Sequence, residues 1–231
     1  MPTTSWRSWS RHLVRNLATG QSISPAALAR LQPRWPSASA MSLDSMRPRP
    51  CSKRRATSLV VRASKTSNGA GDVYQTPFSD GSFDVVTCRF AFHHLEKPAF
   101  AFAEMVRLAA PGGRIVLCDV YASDHPAKAA ALNAMDRIRD PSTAEHRPLI
   151  YLRRLFEATG LGEPKIRLSE VSCLAPDFVA RSFPLNDDRA GLLAIIEASV
   201  DGDTMDTGAH WTPEGVRFVF RSAVLSAVKP G

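Results

Sequence analysis

"SFDVVTCRFAFHHLEKPAFAFAEMVRLAAPGGRIVLCDV", residues 82–120, reads as strand, helix, strand, and the rest of the chain can be ordered around it. Its first part, "SFDVVTCRFAF" (82–92), is a short β-rich run entered through the turn "SDGS" (79–82), apolar enough to be buried on both faces. "KPAFAFAEMVRLA" (97–109) places Pro98 at a first helical position and is stopped by "PGG" (111–113), so Phe100, Met105 and Leu108 are expected in the core. "RIVLCDV" (114–120) is a second buried strand. Two strands joined by a helix make a right-handed parallel crossover.

Downstream, "HPAKAAALNAMDRIRD" (125–140) and "PLIYLRRLFEATG" (148–160) read as helices, the second with Gly160 as its C-cap. "KIRLSEVS" (165–172) alternates as a strand, "DDRAGLLAIIEASV" (187–200) is helical, and "GVRFVFRSAVLSAV" (215–228) is a closing strand. The body is therefore expected to be a doubly wound α/β sheet ending in an antiparallel pair. No internal repeat is visible.

Upstream the composition changes. Residues 1–70 hold 12 Lys and Arg against the single acid Asp44, a net +11, whereas residues 71–231 hold 17 against 21, a net −4. The formal charge of +7 thus belongs to one segment, and the mildly acidic body is not expected to bind nucleic acid. The segment is rich in Ser, Arg and Pro, as in "PRWPSASAMSLDSMRPRPCSKRRATS" (33–58), and three readings are open: disorder, an organellar transit peptide, or a basic arm. The four cysteines, Cys51, Cys88, Cys118 and Cys173, match neither a metal knuckle nor a compact disulfide framework, so a reducing, cytoplasmic setting is the default. With 231 residues and no apolar run long enough to span a bilayer, a chain with one body (71–231) and one basic segment (1–70) is expected.

The stretch "GDVYQTPFSDGSFDVVTCRFAFHHLEKPAFAFAEMVRLAAPGGRIVLCDV" (71–120) resembles the middle of a class I S-adenosylmethionine-dependent methyltransferase of the ubiquinone and menaquinone biosynthesis type, a type 11 methyltransferase domain. The shared order is Gly-Asp, Pro-Phe, an acidic turn, Phe-Asp at the head of a strand, a His pair, a helix with Glu and Arg, then Pro-Gly-Gly. The helix "LRRLFEATGL" (152–161) adds to it, and the likeness runs from about Gly71 onward. The resemblance implies a Rossmann-like fold, S-adenosylmethionine as cofactor and a small-molecule acceptor. It puts Asp72 by the adenine amine, the backbone N–H of Val73 toward a ring nitrogen, and Arg89 and Phe90 near the methionine end, at the carboxyl edge where open sheets bind ligands.

Of the adjacent His93 and His94, one is expected to pack below the loop and the other, His94, to line the mouth; no third metal ligand stands at useful spacing, so no metal is expected. "DVYASDH" (119–125) and "RDPSTAEHRP" (139–148) are where an acceptor would be read, with Asp119, Tyr121 and His146 as contacts. Methyl transfer is an in-line displacement at a sulfonium that the protein aligns and shields from water, so a dedicated base is optional and no catalytic residue is named.

One part of the family pattern is missing. A Gly-x-Gly turn should end the first strand, with an acid about 20 residues on for the ribose hydroxyls; residues 1–70 hold neither, and "SISPAALA" (22–29) stands where the turn belongs. Without the upstream strands, the strand at 82–92 is left with an open edge, an aggregation hazard. A change of reading frame supplies an explanation. Taking the third base of each codon with the first two of the next, Ser22–Ala29 can spell D-L-A-C-G-T-G, the family's loop. In the same frame Met41–Thr57 can spell a second strand with its acid, and Arg15–Gln21 a common lead-in. On this reading residues from about Arg15 to Ala70 are expected to be the product of a frameshift, or of two compensating sequencing errors, inside a methyltransferase gene.

Two functions follow: a methyltransferase acting on a small molecule, or a non-catalytic remnant or binding module. As the chain is written, weak or no cofactor binding is expected.

Overall fold

The computed structural model describes residues 60–62 and 72–231. The frame, transit-peptide and disorder readings of residues 1–70 therefore lie outside the described residues, apart from Val60–Arg62. The strands are β1 (Val60–Arg62), β2 (Phe83–Arg89), β3 (Ala109–Val120), β4 (Lys165–Leu174), β5 (His210–Thr212) and β6 (Gly215–Val228). The helices are α1 (Pro98–Leu108), α2 (Pro126–Arg139), α3 (Leu149–Ala158), α4 (Ala175–Ala180) and α5 (Arg189–Ala198).

Local chemistry sets most of the boundaries. Pro98, without an N–H to leave unsatisfied, opens α1. Asp188 caps α5 by accepting the N–H of Gly191 at 2.8 Å. Helix α3 ends in a Schellman arrangement: Gly160 has φ +80°, the Leu161 N–H donates to Phe156 O at 3.0 Å, and that of Gly160 to Glu157 O at 3.1 Å. β2 stops sooner than its apolar run suggests, because Phe90 turns the chain at φ +46° and Phe92–His94 winds into a 3₁₀ turn. Val86 and Cys88 are buried while Val85 and Thr87 are half-buried, so one face of this strand is fully covered and the other partly.

The sheet order is β1-β2-β3-β6-β4, with β5 paired to β6. β2 and β3 run parallel through α1, and β6 enters antiparallel between β3 and β4. β1 pairs antiparallel with β2 from Val60 opposite Thr87 to Arg62 opposite Val85, so the edge that the sequence leaves open is covered there. The Ala109 end of β3 pairs with Phe83 before the register jumps to Val85 opposite Arg114, and the Pro-Gly-Gly sits in that jump. A Cβ on Gly113 would stand 2.8 Å from Ala110 O and 3.1 Å from Phe83 O, which explains the glycine.

Alternate residues of β6 face opposite sides and build two cores. Ala223 and Leu225, with Ile115 and Leu117, pack against Phe102, Met105 and Leu108 of α1 and Leu155 and Phe156 of α3. Val216 and Phe218 pack on the other side against α2, α4 and α5 through Met135, Val179, Leu192 and Ile196. Met105 and Leu108 are fully buried; Phe100 is only half-buried. Helices thus cover both sides of the sheet, as a doubly wound fold requires.

Candidate active site

The parallel pair β2–β3 sends its carboxyl ends toward one rim, and the chain leaving β2 is held there by a single carboxylate. Asp119, 1% exposed, accepts from the N–H of Phe92 at 2.7 Å and of His93 at 3.0 Å through Oδ2. Its Oδ1 takes the Val120 N–H at 2.7 Å and stands 2.6 Å from His93 Nδ1. Four donors on one buried carboxylate fix the loop Arg89–His94. At its start Phe90 keeps the left-handed φ, strained for an aromatic residue by about 1–2 kcal/mol, and donates its N–H to Cys118 O at 2.8 Å. The Arg89 guanidinium lies 4.7 Å from the Phe90 ring centroid, and both side chains are exposed on the rim. Next to them burial pushes the Cys88 thiol up to about 12, which leaves it unsuited to act as a nucleophile.

Asp72 and Val73 occupy a separate turn. Asp72 is exposed and accepts the Tyr74 N–H at 3.0 Å, while the Val73 side chain anchors the turn in the core. The Tyr74 hydroxyl accepts the Lys97 N–H at 3.2 Å, tying the turn to the start of α1. The segment that follows is clamped by Glu104 and Arg107. Glu104 accepts from Thr76 N–H and Oγ1, both at 2.8 Å, and pairs with the Arg107 fork at 2.8 and 2.7 Å. Arg107 also donates to Phe78 O at 2.8 Å and to Asp80 at 2.5 Å. The sequence offers Glu and Arg only as part of a pattern; their contacts show that they fasten Thr76–Asp80, the segment that follows the Asp72 turn.

The two segments expected to read an acceptor do meet. Ser123 and Asp124 from the first, Glu145 and Pro148 from the second, and Asn133 and Arg137 on the facing side of α2 line a cavity of about 460 Å³. Asp119 and His146, expected as contacts, do not line it: they are 1% and 2% exposed. Asp119 holds the loop, and His146 Nε2 stands 2.9 Å from Asp136 Oδ2. Asp136 also receives Thr143 Oγ1 at 2.8 Å and Arg139. Burial works against that carboxylate's charge, but the His146 and Arg139 hydrogen bonds outweigh it and hold the group well below the usual range. Tyr121 is half-buried and packs against the core beside the rim. His94 is half-buried too, with Nδ1 3.1 Å from both Ser142 O and Ser142 Oγ. Burial, and then the neighbouring His93, lower its pKa against the opposing pull of the Ser142 carbonyl and Asp140.

His146 stands against His93 across 53 positions of sequence, a partner that spacing does not reveal. His93, Asp119 and His146 present ligand-type atoms within 4.8 Å of one another. The two rings stack, with centroids 4.6 Å apart and planes inclined by 29°. Asp119 is already filled by four donors. The trio is a hydrogen-bonded and stacked cluster, and His146 supplies the third ligand-type residue that sequence spacing did not offer.

An open α/β sheet with a loop locked at the end of adjacent parallel strands is a Rossmann-like arrangement. Its overall course matches a solved protein of Bacillus halodurans provisionally assigned as a methyltransferase, with TM-score 0.62 and 24% identity over 70% of this chain and 76% of that one. It also matches the solved YcgJ protein of Bacillus subtilis, with TM-score 0.61 and 22% identity over 70% of each. In sequence, residues 51–117 match the family described as Methyltransferase domain. The chain is 26% identical over 161 residues to the uncharacterized methyltransferase YcgJ of Bacillus subtilis, covering 69% of this chain and 64% of that protein, just under two thirds of its length. A 50-residue stretch is 44% identical to demethylmenaquinone methyltransferase of Renibacterium salmoninarum, covering 22% of this chain and 21% of that one. These likenesses make the chain similar to methyltransferases in fold and, over part of its length, in sequence.

Proposed function

We propose that the chain transfers a methyl group from S-adenosylmethionine to a small-molecule acceptor. The observation that carries this reading is the juxtaposition at the sheet's carboxyl rim. A loop locked by Asp119 presents Arg89 and Phe90, and Glu145, bonded through its N–H to His93 O at 2.9 Å, lines the 460 Å³ cavity beyond. The residues present fit one side of the cofactor. Asp72 spends one oxygen within its turn and can accept the adenine amine with the other, Val73 N–H suits a ring nitrogen, and Arg89 and Phe90 suit the methionine end. The glycine turn and the ribose acid are not among the described residues.

S-adenosylmethionine, when bound, supplies a methyl group on a sulfonium. The chain's own part is to bind and orient: the rim loop sets one reactant and the cavity the other. Proton removal is left to the acceptor's own acidity, and no side chain is assigned as base. Among the described residues no helix is long and apolar enough to cross a membrane; a cytoplasmic location and a small-molecule partner are part of the proposal.

A second reading, a non-catalytic remnant or binding module, is favoured by the lack of any Gly-x-Gly in residues 1–70. Titration calorimetry with S-adenosylmethionine separates the two: binding supports the enzyme, its absence the remnant. Resequencing codons 10–75 asks the same question of the gene, since a shifted frame that cannot encode the glycine turn eliminates the frameshift.

A further inference from the structure

The loop after β2 and the wall of the cavity meet at one buried residue. His93 gives its N–H to Asp119 at 3.0 Å and sets its Nδ1 2.6 Å from the same carboxylate, which fastens it to the rim. Its carbonyl oxygen faces the other way and accepts the N–H groups of Ala144 and Glu145 at 3.0 and 2.9 Å. Its ring stacks on His146. On the cavity side His146 is held in turn by Asp136, and its backbone is clasped by Asn133, whose Oδ1 accepts the His146 N–H at 2.7 Å and whose Nδ2 donates to His146 O at 3.1 Å. His93, Asp119, Asn133, Asp136, Thr143 and His146 are all buried.

A buried N–H that loses its acceptor carries a desolvation cost, so neither half of this cluster can shift without disturbing the other. Moving the rim loop withdraws His93 O from two amides of the cavity wall. Moving the wall uncovers the face of the His93 ring and strips its carbonyl.

We infer that His93 is a positioning residue coupling the two ends of the site, so that ordering the Arg89–His94 rim orders the 143–148 cavity wall, and the reverse. What the two ends bind rests on the proposed function; the coupling itself belongs to the chain and can be read without a ligand. Such coupling is reciprocal, which gives the test its form.

Amide hydrogen exchange on the full chain supplies it. Asp119→Asn, made on the rim side, should speed exchange about tenfold or more at Phe92 and His93 and also at Ala144 and Glu145. Asp136→Asn, made on the cavity side, should speed Ala144 and Glu145 and also Phe92 and His93. The amides of Phe156 and Leu225, in the core, should keep their wild-type rates. Effects confined to the side that carries each substitution would overturn the coupling. If either variant also loosens the core amides, Thr143→Val, which removes one hydroxyl donor to Asp136, takes its place and should still quicken Phe92 and His93; unchanged rates there would overturn the inference.

A kinetic split distinguishes positioning from general weakening. In a methyl-transfer assay Asp136→Asn should raise KM for S-adenosylmethionine severalfold although Asp136 lies on the acceptor side, and a change in kcat alone would count against the coupling. If S-adenosylmethionine does not bind, the functional reading fails while the exchange comparison still decides this one.

Discussion

Replacing Glu104 by Ala tests whether the segment following the Asp72 turn is fastened as the structure indicates. Glu104 is 2% exposed in its side chain and Arg107 20%. The substitution leaves the guanidinium with Asp80 and the Phe78 carbonyl, and it strips the Thr76 N–H of its acceptor. Removing one partner of a buried pair costs about 3–5 kcal/mol; because Arg107 keeps Asp80 and some solvent, a loss of about 3 kcal/mol is expected. For a chain of this size that lowers Tm by about 6–12 °C. Guanidinium denaturation followed by circular dichroism measures it, and a cycle with Arg107→Met isolates the pair, with an expected coupling of about 2 kcal/mol. Limited proteolysis should cut the variant between Asp72 and Ser82 where the parent resists. A coupling under about 0.5 kcal/mol, the value of an exposed pair, with an unchanged cleavage pattern, would refute the reasoning.

Two further outcomes are expected. Gly113→Ala should lose about 2–3 kcal/mol on denaturation because its Cβ meets backbone at 2.8–3.1 Å, whereas Gly112→Ala, at φ +74° with open space around it, should lose only about 1 kcal/mol; equal losses would contradict the register jump. The Asp136 carboxyl is depressed on folding, so it contributes stability above the unfolded value of about 3.9 and loses it as pH falls further. Urea unfolding of the parent and Asp136→Asn should therefore show a constant gap above about pH 5 that narrows below about pH 4; a gap unchanged at pH 3 would exclude the role.

The elements of the body were legible because each carries a local signal. Pro98 opens α1, Gly160 closes α3, and β6 spans the same residues, Gly215–Val228, in the sequence reading and in the structure. The short pieces, α4 and β5, are carried by contact with β6 rather than by any period of their own. For the site, motif order proposes the rim residues Arg89 and Phe90, whereas no sequence signal pointed to the buried cluster as a unit. Asp119 reads as an acceptor contact when only its place at a strand's end is considered. The alternation Ile115, Leu117, Asp119 already turns it inward, and the structure buries all three. His146, Asp136 and Thr143 gave no such signal, because their partners come from a loop and a helix that only the tertiary fold brings together.

The central claim is that this body binds S-adenosylmethionine at the rim. Titration of the full chain should give weak, saturable heat with Kd on the order of 100 μM, reduced at least tenfold by Asp72→Ala. No heat from the parent chain at millimolar cofactor would contradict the claim and leave the remnant.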